Sequence, residues 1–219
     1  MSHLLQLING RKISDSVNSA SALICIFHGY GANRENLYDI GLTISKAYPT
    51  AMVIIPNGIQ KFEEAPWSHD QYQWFSLRQF TQQYMQDALL KVSDTISNWL
   101  IKRLSELNLT QQYLHLVGFS QGAILSLYLA AADLIQPNSI LAYSGLFIPP
   151  KASNVHNKTT KILAIHGDAD KVLPIDMVNS SYKLLSLYGL NNAKFIIEKG
   201  IEHYITPNGL SEGVKFLHL

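Results

Sequence analysis

The chain has 219 residues, 47% hydrophobic and 15% charged, with a formal net charge of +1. That length supports one substantial core, so a single domain over residues 1–219 is expected, and the near-neutral chain lacks the clustered Lys/Arg that a nucleic-acid partner requires. The single cysteine, Cys25, can form no internal disulfide and sits in an apolar run, which fits a small packed residue in a reducing, cytoplasmic setting.

In chain order, residues 1–14 contain no basic segment leading into a signal-type apolar stretch, so no secretion signal is expected. Residues 4–13 suggest a hairpin at a sheet edge. An apolar run at 23–27 predicts the first buried strand, followed by the glycine-rich segment His28-Gly29-Tyr30-Gly31-Ala32-Asn33, a helix over 35–47 and a strand over 51–55. Residues 56–79 have no clear period and hold Phe62, Trp67, Trp74 and Phe75; long aromatic-rich loops in compact domains are often functional. Met85, Leu89, Val92, Ile96, Trp99, Leu100, Leu104 and Leu107 recur every three or four residues and predict one long amphipathic helix that Asn108 ends. A strand at 113–117 and a helix at 123–134 follow. The apolar stretch at 123–135 is too short to span a bilayer and is interrupted by Ser126 and Asp133, so no stable membrane insertion is expected. Strands at 139–143, 161–165 and 193–197 and helices at 175–188 and 207–216 complete the pattern. Short apolar strands alternating with helices predict an α/β fold, a mostly parallel central sheet covered on both faces, and the length leaves no room for a large cap.

One motif gives this scaffold a chemistry. Gly118-Phe119-Ser120-Gln121-Gly122 stands between a strand and a helix, the setting of a nucleophile elbow: the turn lifts the serine hydroxyl clear of the sheet, and glycines on either side relieve the collision of the crossing segments. A serine needs a base, and the base needs a third group to fix its tautomer. In sheets of this kind the acid and then the histidine follow on loops after later strands. His166-Gly167-Asp168-Ala169-Asp170 follows the strand at 161–165, and Glu198-Lys199-Gly200-Ile201-Glu202-His203 follows the one at 193–197. Asp168 and Asp170 compete for the acid role; Asp170 is favoured because it lies farther along the loop, with Asp168 bonding the turn backbone. His203 is the base, since His69, His115 and His156 lack a post-strand position after the acid and His218 is at the extreme end. A metal site at His166, Asp168 and Asp170 lacks a convincing further ligand set, and zinc is rejected. The oxyanion donors are assigned to the amides of Gln121 and Tyr30; the loop around Tyr30 has neither the Lys-bearing phosphate-loop spacing nor a full dinucleotide fingerprint. Such acyl transfer needs no cofactor. A thiol nucleophile has no support, because the elbow carries Ser120 and Cys25 lies inside a strand.

These segments, with Trp74-Phe75 and Ser144-Gly145, resemble the phospholipase/carboxylesterase family of the α/β-hydrolase superfamily, which includes acyl-protein thioesterases and small bacterial carboxylesterases. The resemblance runs from about Leu23 to the C-terminus. It implies the same roles for Ser120, Asp170, His203, Tyr30 and Gln121, and a lipid-like acyl ester, a thioester, a lysophospholipid or an acylated protein as substrate. One departure is Ser76, where many relatives carry aspartate. Trp74, Phe75, Leu146 and Phe147 are the expected walls of a shallow site for small to medium acyl chains. The competing reading is a non-catalytic ligand-binding or interaction protein on the same fold.

Overall fold

The computed structural model describes residues 11–12, 20–152 and 158–217. Among the described residues nine strands run in chain order: β1 (Arg11–Lys12), β2 (Leu23–Phe27), β3 (Met52–Ile55), β4 (Gln60–Lys61), β5 (Tyr72–Gln73), β6 (Leu114–Phe119), β7 (Ser139–Tyr143), β8 (Lys161–Gly167) and β9 (Asn192–Glu198). Five α-helices among the described residues accompany them: α1 (Tyr38–Ala47), α2 (Gln82–Glu106), α3 (Gln121–Ala131), α4 (Ile175–Tyr182) and α5 (Pro207–Leu217). The main sheet has the order β1-β3-β2-β6-β7-β8-β9, parallel throughout except for the antiparallel edge strand β1. It is the fold of an α/β-hydrolase.

The sheet is covered on both faces, and β2 shows how the sequence arranges this. All five of its residues are buried. Leu23, Cys25 and Phe27 join the core under α2 and α3, while Ile24 and Ile26 join the opposite core with Ile44 of α1 and Leu217 of α5. A run with no polar alternation has two apolar faces and can rest only between two helical layers. Helix α3 is buried along its whole length, squeezed between the sheet and α2. Helix α2 turns its Met85, Leu89, Val92, Ile96, Trp99, Leu100 and Leu104 stripe to that core. It ends as the sequence predicts: Asn108 takes the left-handed conformation (φ 53°), and Leu109 donates back to the Leu104 carbonyl.

Several boundaries move. The helix expected from residue 35 begins as a 3-10 turn, Arg34–Leu37, capped by Asn33, before α1 proper. That expected over 175–188 stops at Tyr182, and its last part is a separate 3-10 turn, Leu185–Tyr188, closed by Gly189 at φ 77°. The central helix begins at Gln121, because the elbow leads straight into it, and ends at Ala131, with Asp133 left-handed. Within the aperiodic stretch β4 and β5 form a small antiparallel ribbon. Of the hairpin expected at 4–13 only Arg11–Lys12 is described, as the strand on the β3 edge; the remainder lies outside the described residues. No helix among the described residues is long and apolar enough to cross a membrane.

Candidate active site

A parallel sheet delivers the loops after its strands to one end, and here four of them converge. Ser120 sits between β6 and α3 at φ 53°, ψ −114°, a conformation that a non-glycine residue holds only under constraint. The constraint is visible. Ser120 N donates to Tyr143 O (2.9 Å), and Ser120 O accepts from Ala123 N and Ile124 N at 3.0 and 3.1 Å, so both sides of its peptide are tied to neighbouring elements. The flanking glycines let those elements close. A Cβ on Gly118 would lie 2.4 Å from Ala123 N, and one on Gly122 would lie 2.1 Å from Phe27 O.

The loop after β8 supplies Asp170, whose side chain is fully buried. Its Oδ1 accepts the Val172 and Leu173 amides at 2.8 and 2.9 Å, and its Oδ2 lies 2.6 Å from His203 Nδ1. An ionised carboxylate can only accept, so this contact places a proton on Nδ1, and in the neutral tautomer that this selects Nε2 keeps its lone pair. Asp168 instead accepts the Gly200 amide at 2.6 Å, a backbone role. The two loops are also stitched together, with Asp168 N donating to Glu198 O and Ala169 N to Ile201 O. On the other side of Asp170, His166 Nε2 is 2.8 Å from Leu173 O and 3.3 Å from Asp170 Oδ2, which identifies it as the donor nitrogen. Burial lowers the His166 pKa against the opposing pull of the Leu173 carbonyl and Asp170, so the ring is neutral near pH 7. His203 rests on Phe119, the residue before the serine, with ring centroids 5.0 Å apart. The Ser120 hydroxyl makes no hydrogen bond to another described residue; such contacts commonly tighten only once substrate is bound.

The loop from His28 to Asn33 is held rigidly beside the elbow. His28 donates from Nδ1 to Gly29 O and accepts the Gly58 amide at Nε2, and burial pushes its pKa down to about 4. Gly31 N donates to Tyr72 O, and Tyr72 N to Ala32 O. The Tyr30 and Gln121 amides donate to no described residue.

The four residues expected to line an acyl pocket lie in the core and do not reach the open cleft. Trp74 and Phe75 are completely buried and Leu146 and Phe147 nearly so. The Trp74 indole donates to His28 O, its amide donates to Gln121 Oε1, and Gln121 Nε2 donates to Phe75 O. The elbow glutamine is thus a tether between α3 and the aromatic segment, a link that chain spacing does not reveal. The cleft that reaches the site, about 400 Å³, opens instead between Ala32, Leu37 and Ile40 on one side and Phe119, His203 and Ile205 on the other. A larger hollow of about 740 Å³ lies at the opposite end of β8, beside Lys161, Lys194 and Lys215, where none of these groups is present.

With this geometry in place, comparison with known proteins is specific. The family profile described as phospholipase/carboxylesterase matches residues 9–219. The chain belongs to that family. It is 24% identical to an acyl-protein thioesterase 1 from Debaryomyces hansenii, with 97% of each chain covered. It is 30% identical to the esterase YpfH of Escherichia coli over 71% of this chain and 65% of that one. Among solved structures it is similar to the esterase PE8, with TM-score 0.81, 25% identity and coverage of 96% and 97%. The family assigns the chain to the hydrolases of the esterase and thioesterase type.

Proposed function

We propose that the chain hydrolyses carboxylic esters of small to medium acyl chains through Ser120, His203 and Asp170. The observation that carries this reading is the 2.6 Å contact between His203 Nδ1 and a buried, fully bonded Asp170, with the His203 ring resting on Phe119, the residue before a serine held at φ 53°. His203 Nε2 takes the Ser120 proton as Oγ attacks the carbonyl carbon, and the carbonyl electron pair moves onto oxygen, where the Tyr30 and Gln121 amides receive it. Collapse breaks the bond to the leaving oxygen or sulfur, which takes the proton from His203. Water, deprotonated by the same nitrogen, then releases the acid and regenerates Ser120.

The Tyr30 and Gln121 amides donate to no described residue, which supports their role as donors, since an N–H pair left for substrate beside a nucleophile is what a developing oxyanion needs. The cleft of about 400 Å³ beside His203 supports small to medium acyl groups. A second reading, a thioester on a protein, draws support from the acyl-protein thioesterases to which the chain is similar. Fluorophosphonate labelling tests the mechanism without the natural substrate: the protein labels and folded Ser120→Ala does not. Equal labelling of both would move the nucleophile elsewhere. A subsequent comparison of matched esters and thioesters of increasing acyl length decides between the substrate classes.

A further inference from the structure

The loop that carries Tyr30 is fixed at both ends, by the His28 ring contacts and by the Ala32–Tyr72 bridge. Between those points the peptide that bears the Tyr30 N–H is gripped at Gly29 O by His28 Nδ1 and Ala32 N, Gly31 N donates to Tyr72 O, and the Tyr30 side chain supplies a further hold. Its ring meets Phe62 edge-on with centroids 4.8 Å apart, and its phenol donates to Glu63 Oε1 at 2.6 Å, with Glu64 Oε1 farther off at 3.4 Å.

Glu63 is the hub of a polar cluster that the family mechanism does not use. Its Oε1 also accepts the Leu77 amide (2.8 Å), and its Oε2 accepts the Ser76 hydroxyl (2.6 Å) and lies 3.3 Å from Arg78 Nε. Its own amide donates to Gln73 Oε1 at 2.9 Å, and Ser76 Oγ meets the Tyr84 phenol of α2 at 2.7 Å. The side chain is only 9% exposed. Hydrogen bonds to an ionised acceptor are short and roughly twice as strong as neutral ones, so a carboxylate saturated in this way is a rigid anchor. Ser76 suits that anchor, because a hydroxyl donates to it, whereas an aspartate at this position would set a second carboxylate against Glu63.

We infer that Glu63 is a positioning residue for the oxyanion site: by anchoring the Tyr30 phenol to the segment after Phe75, it sets where the Tyr30 amide points, without touching substrate itself. This rests on the reading of Tyr30 N–H as an oxyanion donor. A backbone donor has no rotamer of its own, and its aim follows whatever holds the residue that bears it. Losing the anchor misaligns the donor, a smaller loss than the hundredfold or more that follows its removal.

The test uses p-nitrophenyl acetate turnover and the affinity of a trifluoromethyl ketone, whose enzyme adduct puts an oxyanion in the same place. Tyr30→Phe deletes one oxygen, and Glu63→Gln removes the charge while keeping the shape. Each is expected to lower kcat about tenfold with KM within about twofold and to weaken the ketone by a similar factor; the double variant loses no more than the worse single one, because both break one link. Normal kcat and ketone affinity in either folded variant, even with a lowered Tm, would overturn the inference, as would fully additive losses. If Glu63→Gln does not fold, Tyr30→Phe decides alone by the same readings. Tyr30→Pro separates the two levels. Undiminished turnover there rejects Tyr30 as donor, while loss of turnover there alongside unaffected Tyr30→Phe rejects only the role of Glu63.

Discussion

Asp170 and His203 are 33 residues apart in the chain, yet Oδ2 of one lies 2.6 Å from Nδ1 of the other, while the side chain of Asp168, two residues earlier, bonds the Gly200 amide. The two aspartates therefore separate cleanly by experiment. Asp170→Asn keeps the shape but presents either tautomer of the imidazole with a partner, and kcat is expected to fall by about a thousandfold or more. Asp168→Asn weakens one turn and is expected to cost about 1 kcal/mol of stability with kcat within about threefold. Steady-state kinetics and urea unfolding of the pair check this, and equal kcat losses would refute the distinction.

The elbow stores strain in Ser120 itself. Glycine holds φ 53° without a Cβ penalty, whereas alanine keeps the penalty, so Ser120→Gly is expected to exceed Ser120→Ala in stability by about 1 kcal/mol although both are inactive. Thermal unfolding of the two variants side by side measures the difference. A Ser120→Gly protein less stable than Ser120→Ala would mean that the turn is not strained.

Acid should unfold the protein partly through buried histidines. Burial lowers His28 and His115 from 6.5 to about 4, in His115 with help from the Lys161 charge. Between those values the unfolded chain binds protons that the native one does not, so the stability these rings contribute is complete above about pH 6.5 and falls steadily as the pH drops toward 4. The loss is on the order of 3 kcal/mol for each ring at the acid end. His115, which pairs with Ser139 Oγ at 2.8 Å and stands apart from the site, offers the clean test: His115→Gln flattens the stability profile between pH 6.5 and 4. An unchanged slope would show that this ring is not kept neutral.

The cleft beside His203 should govern bulk. Ile40→Trp narrows the wall facing Phe119 and Ile205. Turnover of p-nitrophenyl acetate is expected to stay within about threefold, while kcat/KM for bulky apolar esters falls tenfold or more, the scale set by filling an apolar pocket. A profile across ester size that is shifted uniformly would show that substrates do not enter this cleft.

Much of this arrangement is legible before any coordinates. Most of the parallel strands announce themselves because a strand buried on both faces carries a largely apolar run, the edge strand β9 with its Asn192, Lys194 and Glu198 being the exception, and Ser120, Asp170 and His203 stand on the loops that follow these strands. What is hidden has a common cause. Trp74 and Phe75 read as pocket walls because an aromatic residue in a loop gives no sign of which way it faces, and it is the Gln121 tether, the bond of the Trp74 indole to His28 O and the packing on Phe27 that hold them inward. The β4–β5 ribbon is two residues per strand, too short for alternation to register. Glu63 sits in a stretch of 24 residues without period, and nothing local in Lys-Phe-Glu-Glu separates the buried carboxylate from its neighbour; Tyr30 and Ser76 choose it from across the chain.

The stitching of the β8 and β9 loops has a further consequence. Gly167 pairs with Glu198, and the same ladder runs on through Asp168 and Ala169 to Ile201, so the spacing of Asp170 and His203 is inherited from the alignment of the last two strands. A slip of one residue would turn every side chain of β9 to the other face and carry His203 away from Asp170. Hydrolysis is thus a proofreading signal for the end of folding: a chain whose final strand has docked out of step can be compact and still be silent.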